Sequence, residues 1–199
     1  MTATIPPGAQ KLLTYDAYIE EMLTQPPTRQ PCEILDGVRH MPPSPRPLHQ
    51  IILDNLLDLL HDARRAGAQI RTLSSPLDLL IRRDPLRVRE PDLFVMTTAR
   101  YIDNRVSDMP GPITVSPELV VEVLSPSESR RSVDSKIADF QAIGVQECWI
   151  VSPEAETVEV LALSQTEVRT DAVYSPGSEL RSITFTDIVL NVEAIFDRQ

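Results

Sequence analysis

The order of elements along the chain predicts an α/β protein, with one mixed sheet flanked by helices, and three observations carry that expectation. Apolar runs of strand length alternate with longer stretches of helical periodicity over most of the 199 residues. A hairpin signal near the N-terminus and a succession of strand-like segments near the C-terminus call for antiparallel pairing. No linker-like tract or internal repeat divides the chain, and a hydrophobic content of 42% suits one sizeable core. The expected organisation is therefore a single domain over 1–199, with roughly the first ten residues disordered, as termini often are.

The elements follow in order. "TYDAYIEEML" (14–23) has helical character with Thr14 as N-cap, and "QPPTRQP" ends it. "CEILDGVRHM" (32–41) places two short alternating runs around Asp36-Gly37, a hairpin in which a two-residue turn sets Glu33 opposite His40. "PLHQIILDNLLDLLHDARRAG" (47–67) is the longest helix, opened by Pro47 and stopped by Gly67. Strands are expected at 69–73, 77–81, 91–97 and 118–124, then a helix over 132–144 stopped by Gly144. Strands at 147–151, 157–163, 168–174 and 179–185 and a helix over 187–196 complete the chain. Eighteen prolines against six glycines favour firm turns between these elements.

Several chemistries are excluded. The six scattered glycines build neither a G-x-G-x-x-G fingerprint nor a P-loop, so no nucleotide cofactor is expected. No G-x-S-x-G elbow is present. His40, His49 and His61 include no i, i+4 pair of the zincin type. No run approaches the roughly 20 apolar residues of a membrane-spanning helix, and the N-terminus has no apolar run of signal-peptide length. Cys32 and Cys148 then read as reduced thiols in a cytoplasmic protein.

The net charge of −10 argues against a nucleic-acid partner, but its distribution is uneven. Residues 150–199 hold nine acids and three arginines, whereas residues 64–131 hold eleven arginines and nine acids. The middle of the chain leaves room for a face that meets phosphates.

What remains is carboxylate chemistry. In "REPDLFVMT" (89–97), strand alternation sets Asp92 on the face of Phe94 and Met96, with Leu93 and Val95 opposite. In "PELVVEVLSPS" (117–127), Glu122 falls between Val120 and Leu124 on an apolar face, where a lone ionised carboxylate is costly. A solvated strand-start aspartate and a structural ion pair to arginine are the plain alternatives. The chain uses arginine seventeen times and lysine twice, at Lys11 and Lys136. At about 100° per residue, Lys136 shares a helical stripe with Val133, Ile137, Phe140 and Ile143. A lysine there either snorkels from the stripe's edge or is set inward to work with the two carboxylates, since lysine, unlike arginine, can have its pKa lowered. Two carboxylates and a lysine suit a divalent ion, typically Mg²⁺, which takes one or two protein carboxylates and fills its shell with water and phosphate oxygens.

"EPDLFV", "ELVVEVLSPS" and "KIADFQAIGVQECWIV" in this order resemble the Uma-two family of restriction endonucleases, a bacterial group with the PD-(D/E)XK nuclease fold. "LTYDAYIEEM", "CEILDG" and "SPRPLH" fall where that family has similar segments, so the resemblance spans about 12 to 196. It implies a restriction-endonuclease-like core, Mg²⁺ (or Mn²⁺ in its place), DNA as substrate, and Asp92 and Glu122 as metal ligands. The general nuclease motif has its lysine two residues after the second acid, where this chain has Leu124. In the family the following helix supplies it, and the matching position is Lys136. Glu33 matches a further family acid, in the metal or water network, and His49 a histidine at the start of the long helix. Structural readings stand beside both: Glu33 paired with His40, and His49 helping to cap the helix near Pro47.

One departure concerns "SPSESRRSVDSK". Four residues before the lysine, where the family has an aspartate, stands Ser132, which reads as a helix N-cap. Asp134 lies about 160° from Lys136 on the helical wheel. Arg130 and Arg131 are candidates for contact with the DNA backbone, solvated loop charges being the alternative. The leading expectation is a Mg²⁺-dependent DNA endonuclease, as a homodimer because two strand cuts suit two sites. The rival is a catalytically weak or inactive nuclease-fold protein serving as an oligomeric or partner-binding module. A glycosidase using Glu122 and Asp92 fits poorly, because nine aromatic residues offer few sugar-stacking platforms and Lys136 has no task there.

Overall fold

The computed structural model describes residues 12–24, 32–42 and 44–198. The first ten residues, for which disorder is expected, lie outside that range. The main sheet is assembled from strands β3 (Ile70–Ser74), β6 (Leu93–Thr97), β7 (Leu119–Val123), β8 (Glu147–Ser152), β9 (Thr157–Leu163) and β10 (Val168–Tyr174), in the order β10-β9-β8-β7-β6-β3. Only β7 and β8 run parallel. A parallel pair needs a crossover, and helix α4 (Arg130–Ala142) provides it.

Helices cover both faces, as expected. On one side α2 (Pro47–Arg65) and α5 (Val192–Ile195) bury Ile52, Leu56, Leu60 and Ile195 against Leu93, Val121 and Trp149. On the other, α4 lays Phe140, Val133 and Ile137 over Phe94, Met96 and Val120. Helix α3 (Thr98–Asp103) follows β6 directly, and Thr97 caps it by accepting from Arg100 N–H at 3.2 Å. Among the described residues no helix is long and apolar enough to cross a membrane.

The hairpin does not join the main sheet. Strands β1 (Glu33–Leu35) and β2 (Val38–His40) pair in the expected register, Glu33 opposite His40, and continue through β5 (Arg87–Arg89) to β4 (Leu79–Arg82) as a second, four-stranded sheet. Helix α1 (Tyr15–Thr24) closes that sheet with Tyr18, which packs on Ile34, Leu86 and Val88. The turn needs positive φ at Asp36 (52°) and Gly37 (81°). A Cβ on Gly37 would also stand 2.9 Å from Leu12 Cβ, so glycine is required twice over.

Three local expectations need correction. Helix α4 starts at Arg130 rather than at 132, and its N-cap is Ser129, whose side chain accepts from Ser132 N–H at 3.2 Å. Ser132 is thus the third residue of the helix and not its cap. The segment 179–185 is strand only at β11 (Glu179–Arg181), because Ile183 and Thr184 give their N–H groups to the Glu147 carboxylate. The closing helix is preceded by a strand: β12 (Val189–Asn191) pairs with β11, and only Val192–Ile195 is helical.

Candidate active site

Strands β6 and β7 are antiparallel with Leu93 opposite Val121, and continuing that register by one residue sets Asp92 opposite Glu122. Where the β6 ladder stops, the Asp92 carboxylate replaces it: Oδ2 accepts the Val123 N–H at 2.7 Å. His49, in the first turn of α2, brings Nε2 to 3.3 Å from the same oxygen. No side chain caps α2, so His49 serves Asp92 and not the helix end.

Glu122 is 3% exposed. Its counter-ion comes from α4, where Lys136 Nζ lies 2.6 Å from Glu122 Oε2. Lys136 projects from the apolar stripe of the helix as its periodicity requires, between Val133 and Ile137, which pack on the core. A second carboxylate, Glu128 in the loop before α4, stands 3.0 Å from Nζ. Nothing in strand or helix periodicity marks Glu128, since it lies in the irregular "SPSES" stretch.

Glu33 meets neither Lys136 nor His40 directly. Its Oε2 lies 2.7 Å from Nη1 of Arg89, which is 2% exposed and also donates to Asp139 Oδ2 at 2.6 Å and Ser135 Oγ at 2.9 Å. Arg87 binds the other Asp139 oxygen at 2.6 Å and reaches Asp36 at 3.3 Å, and Asp36 in turn holds Arg82. An ion-pair chain thus runs from the hairpin turn through β5 and α4 to Glu33. Asp139 and Arg89 are the residues that sequence reasoning missed here, because an arginine alternating in "RVR" reads as solvent-facing.

Glu33, His40, His49, Asp92, Glu128 and Lys136 line one cleft of about 500 Å³, together with Glu90 and an apolar wall of Met41, Pro42, Pro45 and Pro76. Arg130 and Arg131 do not line it. They are exposed at the start of α4, beside the cleft residues Ser129 and Ser132, and make no hydrogen bond or ion pair among the described residues. Most other arginines of the middle segment are engaged, Arg65 with Asp62, Arg100 with Glu118 and Arg105 with Asp108, besides those named above.

The electrostatics follow from this packing. Burial drives the Glu122 carboxyl up to about 8, with Asp92 and Glu33 adding to the rise and Lys136 opposing it. Burial alone would lower the Lys136 pKa, but Glu122 and Glu128 outweigh it and hold the ammonium above the ordinary lysine value. The hydrogen bond to Asp92 raises His49 against the opposite effect of burial. The direction of the Lys136 shift favours its ammonium form beside the two carboxylates.

Among the described residues no three His, Cys, Asp or Glu side chains form a ready-made metal cage. Asp92 Oδ1 and Glu122 Oε1 make no hydrogen bond or ion pair among the described residues, so each ligand candidate keeps one uncommitted oxygen. Asp92 lines the cleft and Glu122 lies buried on the neighbouring strand; a pair of carboxylates is the protein donor set Mg²⁺ takes, leaving most of its shell to water and substrate.

The architecture that surrounds these residues is shared with a solved structure. It matches the crystal structure of a "putative nuclease" of the DUF820 group from Anabaena variabilis with a TM-score of 0.68 and 22% identity, over 90% of this chain and 97% of that one. The family model of Uma2 (Uma-two), described as "putative restriction endonuclease", matches residues 19–193. The chain belongs to the Uma2 family. No curated protein matches it.

Proposed function

We propose that the protein is a Mg²⁺-dependent endonuclease that hydrolyses DNA phosphodiester bonds, with Mn²⁺ able to substitute and a homodimer as the working form. The observation that supports this reading is that Asp92 from the start of β6 and Lys136 from α4 line one cleft, with Glu122 from β7 buried beside it and bonded to Lys136 at 2.6 Å. Asp92 and Glu122 would hold the ion, which when bound would acidify a water and offset charge on the phosphoryl oxygens. Lys136 keeps its proton and donates N–H toward the attacking water or a non-bridging oxygen, placing positive charge where negative charge develops. His49 fixes the orientation of Asp92 through the 3.3 Å contact. Arg89 holds Glu33 at the cleft wall, near enough to join the water network. Arg130 and Arg131 would meet the backbone phosphates of the DNA.

The test is cleavage of plasmid and single-stranded DNA with Mg²⁺ and with EDTA. Wild-type protein should cut only with the metal, and Asp92→Asn, Glu122→Gln and Lys136→Ala should each lose about 10²-fold or more in rate. A Lys136→Ala protein that cuts at the wild-type rate refutes the role given to that lysine.

A second reading is a nuclease-fold module that no longer cuts. It is favoured by the engagement of Glu122 Oε2 with Lys136, which closes part of the ligand set. Calorimetric titration with Mg²⁺ and Mn²⁺ separates the two, because an inert module should bind neither ion tightly.

A further inference from the structure

The proposed chemistry makes no use of Glu128, yet its carboxylate faces the same ammonium as Glu122. Lys136 Nζ sits between Glu122 Oε2 at 2.6 Å and Glu128 Oε1 at 3.0 Å. Glu128 is not a casual surface partner: its side chain is 14% exposed and Lys136's is 17%. The loop that carries it is folded back on the helix. Glu128 N–H donates to the Ser125 carbonyl at 2.9 Å, and Ser129 caps α4. One turn before Lys136 on the helix, Ser132 Oγ donates to Glu128 Oε1 at 3.4 Å and holds the carboxylate over the lysine.

Glu122 cannot neutralise Lys136 fully and also serve a divalent ion. Once its charge is shared with a metal, an ammonium that is 17% exposed and has no other partner would be drawn toward water and out of its place. We propose that Glu128 is the positioning residue that keeps the Lys136 ammonium in the cleft, so that the lysine stays placed when Glu122 turns to the ion. The part that concerns catalysis rests on the endonuclease reading above. Geometry also says where the same charge could be moved. An acid at position 132 stands one helical turn from Lys136 and next to the present Glu128 oxygen, so it can reach the same nitrogen.

The experiment uses Glu128→Gln and the double variant Glu128→Gln/Ser132→Asp, in full-length protein. The chain contains two lysines, so a Lys11→Arg background leaves Lys136 as the sole source of a side-chain ammonium signal in ¹H–¹⁵N spectra. In Mg²⁺-saturated protein without DNA, where Glu122 is shared with the ion, the parent should show a sharp, slowly exchanging signal. Glu128→Gln should broaden it beyond detection, and the double variant should restore it. In Mg²⁺, Glu128→Gln should lower kcat for DNA cleavage by about tenfold or more with KM changed by less than about twofold, and the double variant should regain most of the loss. A sharp ammonium signal in Glu128→Gln overturns the proposal, and so does a kcat within about twofold of the parent. Should the parent itself cut no DNA, the endonuclease reading falls, while the ammonium signal still decides whether Glu128 places the lysine.

Discussion

Replacing Arg89 with methionine tests the ion-pair chain that joins the small sheet to α4. The guanidinium is 2% exposed and donates to Glu33, Asp139 and Ser135. Without it Asp139 keeps Arg87, but Glu33, 17% exposed, has no remaining cation among the described residues. Removing one member of a buried ion pair costs about 3–5 kcal/mol, and water reaching Glu33 from the cleft argues for the lower end, about 3 kcal/mol. For a chain of this size that is a fall in Tm of roughly 6–12 °C. Most of the loss comes from the stranded carboxylate, so Arg89→Met/Glu33→Gln should recover part of it, with a coupling of about 1–2 kcal/mol in a double-mutant cycle. Urea and thermal unfolding of the four proteins, metal-free and at low salt, would measure both quantities. If Arg89→Met melts within about 2 °C of wild type, or if the two single losses simply add, the chain is not what holds Glu33 in place.

Other outcomes follow from the same geometry. Saturating Mg²⁺, at about 100 times its Kd, should stabilise the wild type by about 2.7 kcal/mol, seen as a rise in Tm by differential scanning fluorimetry; Asp92→Asn and Glu122→Gln should abolish the rise. Glu147→Ala should cost at least about 3 kcal/mol in unfolding experiments, because it strands the buried donors of Trp149 and Ser182 and the part-buried N–H groups of Ile183 and Thr184. DNA cleavage per folded molecule should be unchanged by that substitution. If Arg130 and Arg131 meet backbone phosphates, replacing both with alanine should reduce the slope of log K against log salt by about 2, measured by DNA-binding titrations at several salt concentrations.

Glu147 also shows where sequence reading stops. It and Glu122 occupy neighbouring strands, and both are buried glutamates among apolar residues. Alternation singles out Glu122 in "LVVEVL" but cannot tell a carboxylate with an uncommitted oxygen from one whose oxygens already accept from Trp149, Ser182, Ile183 and Thr184. That difference depends on a turn 35 residues downstream. Lys136 was legible because a lysine on an apolar stripe conflicts with its own periodicity. Asp92 was legible as a face, though not its bond to Val123. Glu33 was legible in register, opposite His40, but its ion-pair partner was not, since Arg89 lies 56 residues away in a strand masked by its own charges. The end of the chain was misread for a related reason: "DIVLNVEAIF" has helical periodicity, but pairing with β11 claims its first half as strand.

The bond from Val123 N–H to Asp92 Oδ2 makes a ligand candidate part of the sheet's own ladder. The carboxylate is therefore oriented by folding before any ion arrives, and it cannot rotate away without opening the end of β7. The same bond supplies a built-in reporter. The Val123 amide should exchange slowly with deuterium, and its chemical shift should move when charge is drawn from Asp92. One backbone resonance can thus register events at the cleft without a label, a substrate or a cut strand of DNA.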